Sequence, residues 1–99
     1  MSDVALSGRQ RKHLRGLAHR LEPVVHVGHQ GITDAVVTAV SEALLAHELI
    51  KVRLHEPEDK HAMANDLAAR ADAEACGLVG HTVVLYRRHP ERPLIALPG

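Results

Sequence analysis

Apolar and polar positions follow two different periods along this chain, and the switches between them mark seven elements. Over residues 7–21, Gln10, Leu14, Leu17, Ala18 and Leu21 share one side at helical spacing, with Arg9, Lys12, Arg15, Gly16 and His19 on the other. Ser7-Gly8-Arg9-Gln10 has the S-x-x-Q form of a capping box, so a helix is predicted to begin at about Ser7. Pro23 ends it, and the β-branched run Val24–Val27 reads as a short strand. After two glycines, Thr33 suits an N-cap with Asp34 at N1, and Ile32 is placed to staple onto Val37. Val36, Val40, Ala43, Leu44 and His47 then mark the buried stripe of a second helix ending near His47.

Leu49–His55 alternates, with Ile50, Val52 and Leu54 facing one way and Lys51, Arg53 and His55 the other: a half-exposed strand with a basic outer face. Pro57 suits N1 of a third helix, with Glu58 and Asp59 in its first turn and an end near Asp72. Glu74–Val79 and Thr82–Arg88 read as two strands joined by Gly80-His81, whose leading glycine fits a type II′ hairpin turn. Pro90–Gly99, with three prolines, reads as a surface tail whose Leu94–Leu97 docks as an edge segment. The order is α-β-α-β-α-β-β. It predicts a compact two-layer α/β domain with a mixed four-stranded sheet, parallel between the first two strands and antiparallel in the hairpin.

The most deliberate stretch is Gly28-His29-Gln30-Gly31, between the first strand and the second helix. Glycine leaves the backbone bare and tolerates positive φ, so main-chain N–H groups near a helix N-terminus become open to a guest, and phosphate suits such a place. Two glycines three apart also occur in ordinary tight turns, so the loop needs support from the rest of the chain.

Composition narrows the possibilities. Ninety-nine residues make one domain, able to bury roughly 60–65% of its unfolded surface. Tyr86 is the only Phe, Tyr or Trp, which excludes a base-stacking platform built from several aromatic faces. A single cysteine, Cys76, excludes an internal disulfide and a Cys-rich zinc site and fits a reducing compartment. No apolar leader and no run near 18 apolar residues is present, so a cytoplasmic chain without a membrane partner is expected.

Net charge is zero, yet it is unevenly spread. Residues 1–21 carry +4, residues 22–75 carry −6 and residues 76–99 carry +2. Local potential governs contact with phosphate, and the first helix has almost no carboxylates to neutralise it. His26 and His29 sit at i, i+3, but no Cys or carboxylate pattern completes a metal set, and His26 on its strand reads as half-buried. No Ser or Cys lies in a nucleophile motif, and residues 56–59 read as a helix start, so neither an enzyme nor a metal or other cofactor is expected.

Five short stretches carry a resemblance. Lys12–His19, Pro23-Val24-Val25, Gly28-x-x-Gly31-Ile32-Thr33, His47–Val52 and Gly80-x-Thr82 through Arg87 resemble, in order and spacing, the CRM domain (chloroplast RNA splicing and ribosome maturation) in its stand-alone bacterial YhbY-like form. The similarity spans about residues 5–97, so one CRM domain is expected over 1–99. It implies a fold similar to the C-terminal domain of translation initiation factor three, with a G-x-x-G loop comparable to that of KH domains. It also implies an RNA-binding module associated in bacteria with precursors of the large ribosomal subunit.

Carried over by position, the resemblance places a phosphate clamp at Gly28, His29, Gln30 and Gly31. Basic support comes from Arg11, Lys12, Arg15, Lys51 and Arg53, with Arg87 after the last strand. The tip residues His29 and Gln30 stand where such loops often carry lysine or arginine, and each missing charge flattens salt dependence. The expected partner is ribosomal RNA or a precursor particle rather than DNA, and the expected state is a monomer. The alternative is a protein-interaction module acting through the acidic face, with a small metalloenzyme third.

Overall fold

The computed structural model describes residues 6–99, so residue 5, the expected lower bound of the core, lies outside them. The elements are α1 (Gly8–Ala18), β1 (Pro23–Val27), α2 (Asp34–His47), β2 (Leu49–Leu54), α3 (Lys60–Arg70), β3 (Glu74–Val79) and β4 (Thr82–Tyr86). Both predicted caps form. Ser7 Oγ accepts from Gln10 N–H at 3.1 Å while Gln10 Oε1 accepts from Ser7 N–H at 3.0 Å, and Thr33 Oγ1 accepts from Val36 N–H at 3.2 Å. The sheet order is β1-β2-β4-β3, with β1 parallel to β2 and the other neighbours antiparallel. Gly80 has φ +58 and His81 has no positive φ, as a type II′ turn requires.

Several boundaries differ from expectation; α1 stops at Ala18, short of the Leu21 end of its predicted stripe, and β2 at Leu54 rather than His55. The third helix begins at Lys60, because Asp59 is its cap: Oδ1 accepts from Ala62 N–H at 3.0 Å, and Pro57 and Glu58 precede the helix. It ends at Arg70 because Asp72 turns left-handed (φ +52), and Ala73 N–H reaches back to Ala68 O at 2.8 Å in a Schellman closure. The last strand stops at Tyr86. There Arg87 N–H goes to the carbonyl of Glu48, whose own φ of +64 ends the partner strand.

The mixed α/β class is as predicted, but the layering is fuller. Val27, Ile50, Val52, Leu54, Val83 and Leu85 form one core with α2 and α3. On the opposite face Leu49, Cys76, Val84 and Tyr86 form a second with Leu14 and Ala18 of α1. The physical reason is the unbroken apolar run Val83–Tyr86: a strand apolar at successive positions needs cover on both faces. The tail joins this second core instead of pairing at an edge. Ile95 and Leu97 pack on it beside Leu6, and Pro98 O accepts from Gln10 Nε2 at 3.0 Å.

Burial pushes the Cys76 thiol up to about 11, and burial together with the Glu48 charge raises Tyr86. Both groups are therefore held neutral in the fold and ionise more readily in the unfolded chain. Folding stability is expected to be intact below pH 9 and to fall as pH rises toward 11. Thermal melts across that range check this, and a flat profile would contradict the assigned burial of Cys76.

Candidate nucleic-acid interface

β1 delivers the glycine loop at one corner of the sheet. Gly31 N–H donates to Gly28 O at 3.0 Å, and Thr33 N–H to Gly31 O at 3.1 Å, closing the turn ahead of α2. Gly31 has φ +79, so it needs glycine for its backbone, whereas a Cβ at Gly28 would meet nothing within 4 Å. His29 and Gln30 are exposed at the tip. The result is a bare turn next to the N-terminus of α2, where partial positive charge favours anions.

The two sides of this turn differ in charge. Toward α3 lies a cleft whose lining includes Glu56, Glu58, Asp59 and Asp66. His55 sits there too, with its ring 6.2 Å from that of His29 and its Nε2 3.7 Å from Glu56. Asp66 is paired with Arg70 at 3.3 Å. An anion meets carboxylates from that side. From the α1 side it meets His26 and Arg53, which pair in register and are both exposed. Half-burial was expected for His26, but α1 stops short of covering β1.

The other expected basic residues spread along α1 and away from the loop. Lys51 Nζ donates to His19 O at 3.4 Å, and this tethers the C-terminal end of α1 to β2. Arg15 lies across Gly77, its Cδ 2.5 Å from where a Cβ would stand, and its Nη1 donates to Cys76 O at 3.0 Å. Arg11 Nη1 donates to Ala75 O at 2.6 Å, and its Nη2 is 3.5 Å from Glu74. Lys12 is exposed on the outer side of α1.

Arg11 and Arg15 thus bind the carbonyls of β3, the strand at the opposite edge of the sheet from the loop. Of the expected cations only Arg53, in register with His26 of β1, stands near the loop end; Lys51 pairs with Pro23 at the other end of that strand. Arg87 stands apart. It ties α3 to α2 by donating to Ala71 O at 2.7 Å and Ser41 O at 2.9 Å.

Two residues that organise this surface escaped the sequence reading. Gly77 follows an irregularity in the β3–β4 register after Ala75 and gives Arg15 room to lie flat. Glu48, fully buried, holds the tail through three backbone N–H groups. A glycine inside an otherwise regular strand was the available signal for the first. Among the described residues, no three His, Cys, Asp or Glu side chains gather to hold a metal ion, and no helix is long and apolar enough to cross a membrane.

These features define a class: a small α/β domain with a mixed sheet, a bare glycine turn at one corner and a cationic strip beside it. The chain belongs to the CRS1 / YhbY (CRM) domain family, whose profile matches residues 6–87. It is similar to the Bacillus subtilis protein named "Probable RNA-binding protein YqeI", 38% identical over 95 residues that cover 94% of this chain and 99% of that one. A Haemophilus influenzae protein named "RNA-binding protein" is 40% identical over 90 residues, covering 89% and 91%. The solution structure of a hypothetical protein from Staphylococcus aureus matches with a TM-score of 0.83 at 32% identity, over 95% of this chain and 100% of that one. The family read from five short motifs is borne out, and so is the predicted α/β class with its mixed four-stranded sheet.

Proposed function

We propose that this protein binds RNA and associates with precursors of the large ribosomal subunit as an assembly factor. The Gly28–Gly31 turn seats on the phosphate backbone. Lys51, Arg53 and the outer cations of α1 extend the contact. The observation that carries this reading is the polarity of the turn: a glycine backbone open to approach, carboxylates on one side and exposed cationic side chains on the other. The names of the relatives support the RNA partner. The ribosomal partner follows from what the family resemblance implies.

Sedimentation of cell extracts on sucrose gradients tests the proposal. The protein is expected to travel with precursor large subunits at low salt and to be released as salt rises. In binding to free single-stranded RNA, affinity should fall with a log–log slope of about −0.7 per phosphate neutralised. Co-sedimentation that survives nuclease and barely responds to salt would favour the alternative, in which the acidic cleft meets a protein. Absence from ribosomal fractions would remove the assembly role while leaving RNA binding to be judged by the slope.

A further inference from the structure

The sheet face that carries α1 is only half covered. α1 rests on β3, β4 and β2, and its Leu14 and Ala18 are buried with Leu49, Cys76, Val84 and Tyr86. Further along the strands, four residues stand in one row across the sheet: His26 pairs with Arg53, Arg53 with Thr82, and Thr82 with Val79. Their neighbours Val25, Val27, Val52, Leu54, Val83 and Leu78 pack into the α2–α3 core, so by strand alternation the row faces the α1 side. None of the four is buried, and Val79 is 74% exposed. Three inter-strand spacings make this strip about 14 Å wide.

Cations border it. Lys51 lies one step down β2 from Arg53, and Arg15 lies over Gly77, one step down β3 from Val79. No carboxylate belongs to the row, and the acidic side chains near the loop are on the far side of it. An exposed, basic sheet surface with flat side chains in its floor complements a strand whose phosphates and base faces are both accessible. Duplex RNA hides those faces.

Resting on the RNA-binding reading above, we propose that this uncovered row seats a single-stranded RNA segment, with bases lying on Arg53 and His26 and phosphates meeting Arg15 and Lys51. Guanidinium and imidazole planes stack on bases, and here they take the place of aromatic side chains, because the chain has no Phe or Trp and its one Tyr is buried. Arg15 is held for this task. A Cβ on Gly77 would collide with its Cδ and swing the side chain off the sheet.

The test compares a labelled single-stranded ribo-oligonucleotide of mixed sequence with the same sequence in a hairpin duplex, by fluorescence anisotropy. The single strand is expected to bind at least about 10-fold more tightly, since stacking contributes on that scale per base. Arg53→Lys keeps the charge and loses the plane, so it should weaken single-strand binding about 5- to 50-fold with the melting temperature unchanged. Gly77→Ala should weaken binding in the native background and do nothing further in Arg15→Ala.

Equal affinity for duplex and single strand, or an Arg53→Lys protein that binds as the native one does, overturns the stacking surface while RNA binding stands. A further loss from Gly77→Ala without Arg15 overturns the positioning of Arg15. A native protein that binds neither RNA overturns the RNA reading and this surface with it.

Discussion

Truncating Glu48 to alanine is expected to lower the melting temperature by on the order of 15 °C, as much as emptying a buried leucine site would. Glu48 is the one charged residue with no exposed surface among those described. Its Oε1 accepts from Leu94 N–H at 2.7 Å and Ile95 N–H at 2.8 Å, and its Oε2 accepts from His89 N–H at 2.6 Å. Removing the carboxylate leaves these donors facing an apolar gap, and bonds to a charged acceptor contribute roughly 1.5–3 kcal/mol each. The loss is limited because the tail detaches and rehydrates, so a net cost of about 3 kcal/mol is expected, at roughly 5 °C per kcal/mol for a domain this size.

The backbone at Glu48 (φ +64, ψ −39) stays strained in alanine, so no relief offsets the loss. Deleting the chain after Arg88 removes the same three donors together with Ile95 and Leu97, and should cost a similar amount. Combining the two changes should cost little more than either alone, because they break one unit. Calorimetry of the three variants decides the matter. Fully additive losses would mean that Glu48 and the tail do not act together.

The fold was legible wherever one residue type dictates local backbone. Ser7 with Gln10, Thr33, and the glycine-led hairpin at Gly80 each fix a cap or a turn by their own chemistry, and these positions came out as read. Boundaries failed where two residues compete for one role. Pro57, Glu58 and Asp59 all favour a helix start, and the one whose carboxylate reaches a free N–H takes it. The placement of α1 was present in the sequence as the unalternating run Val83–Tyr86, which asks for cover on both faces.

The site was legible as a composition of parts and not as an arrangement. Arg11, Arg15 and Lys12 occupy one helix with no adjacent carboxylates, which reads as a free cationic face. Sequence spacing gives no sign that Arg11 and Arg15 lean onto the carbonyls of β3, since the partners lie more than 60 residues away. Nor does it show Arg87 bridging α2 and α3. Glu48 carries no signal of its own in the sequence, because a buried carboxylate that answers backbone donors leaves no periodic trace. The neutral total charge conceals the feature that matters most for an anionic partner, which is that the glycine turn lies between an acidic cleft and a basic strip.

That border position makes the turn unusually sensitive to added charge. Gly28→Asp is expected to weaken RNA binding on the order of 100-fold, since a like charge set against phosphate costs several kcal/mol when water is excluded. The substitution carries no folding penalty of its own: Gly28 has no positive φ, and its Cβ would point into open space. The new carboxylate would also extend the negative field of Glu56, Glu58 and Asp59 around the turn.

Gly28→Lys inserts a side chain at the same open position with the opposite sign, so it should bind RNA as tightly as the native protein or more so, with a steeper salt dependence. Gly31→Asp is a less clean probe because its φ of +79 strains any side chain, although aspartate bears this better than most. Combined with Gly28→Asp it should abolish binding. Titrations of the two Gly28 variants at matched salt, with melting curves to show that both remain folded, separate charge from shape. If aspartate and lysine at this position bind alike, the turn does not face a phosphate, and the contact must lie wholly on the sheet and α1.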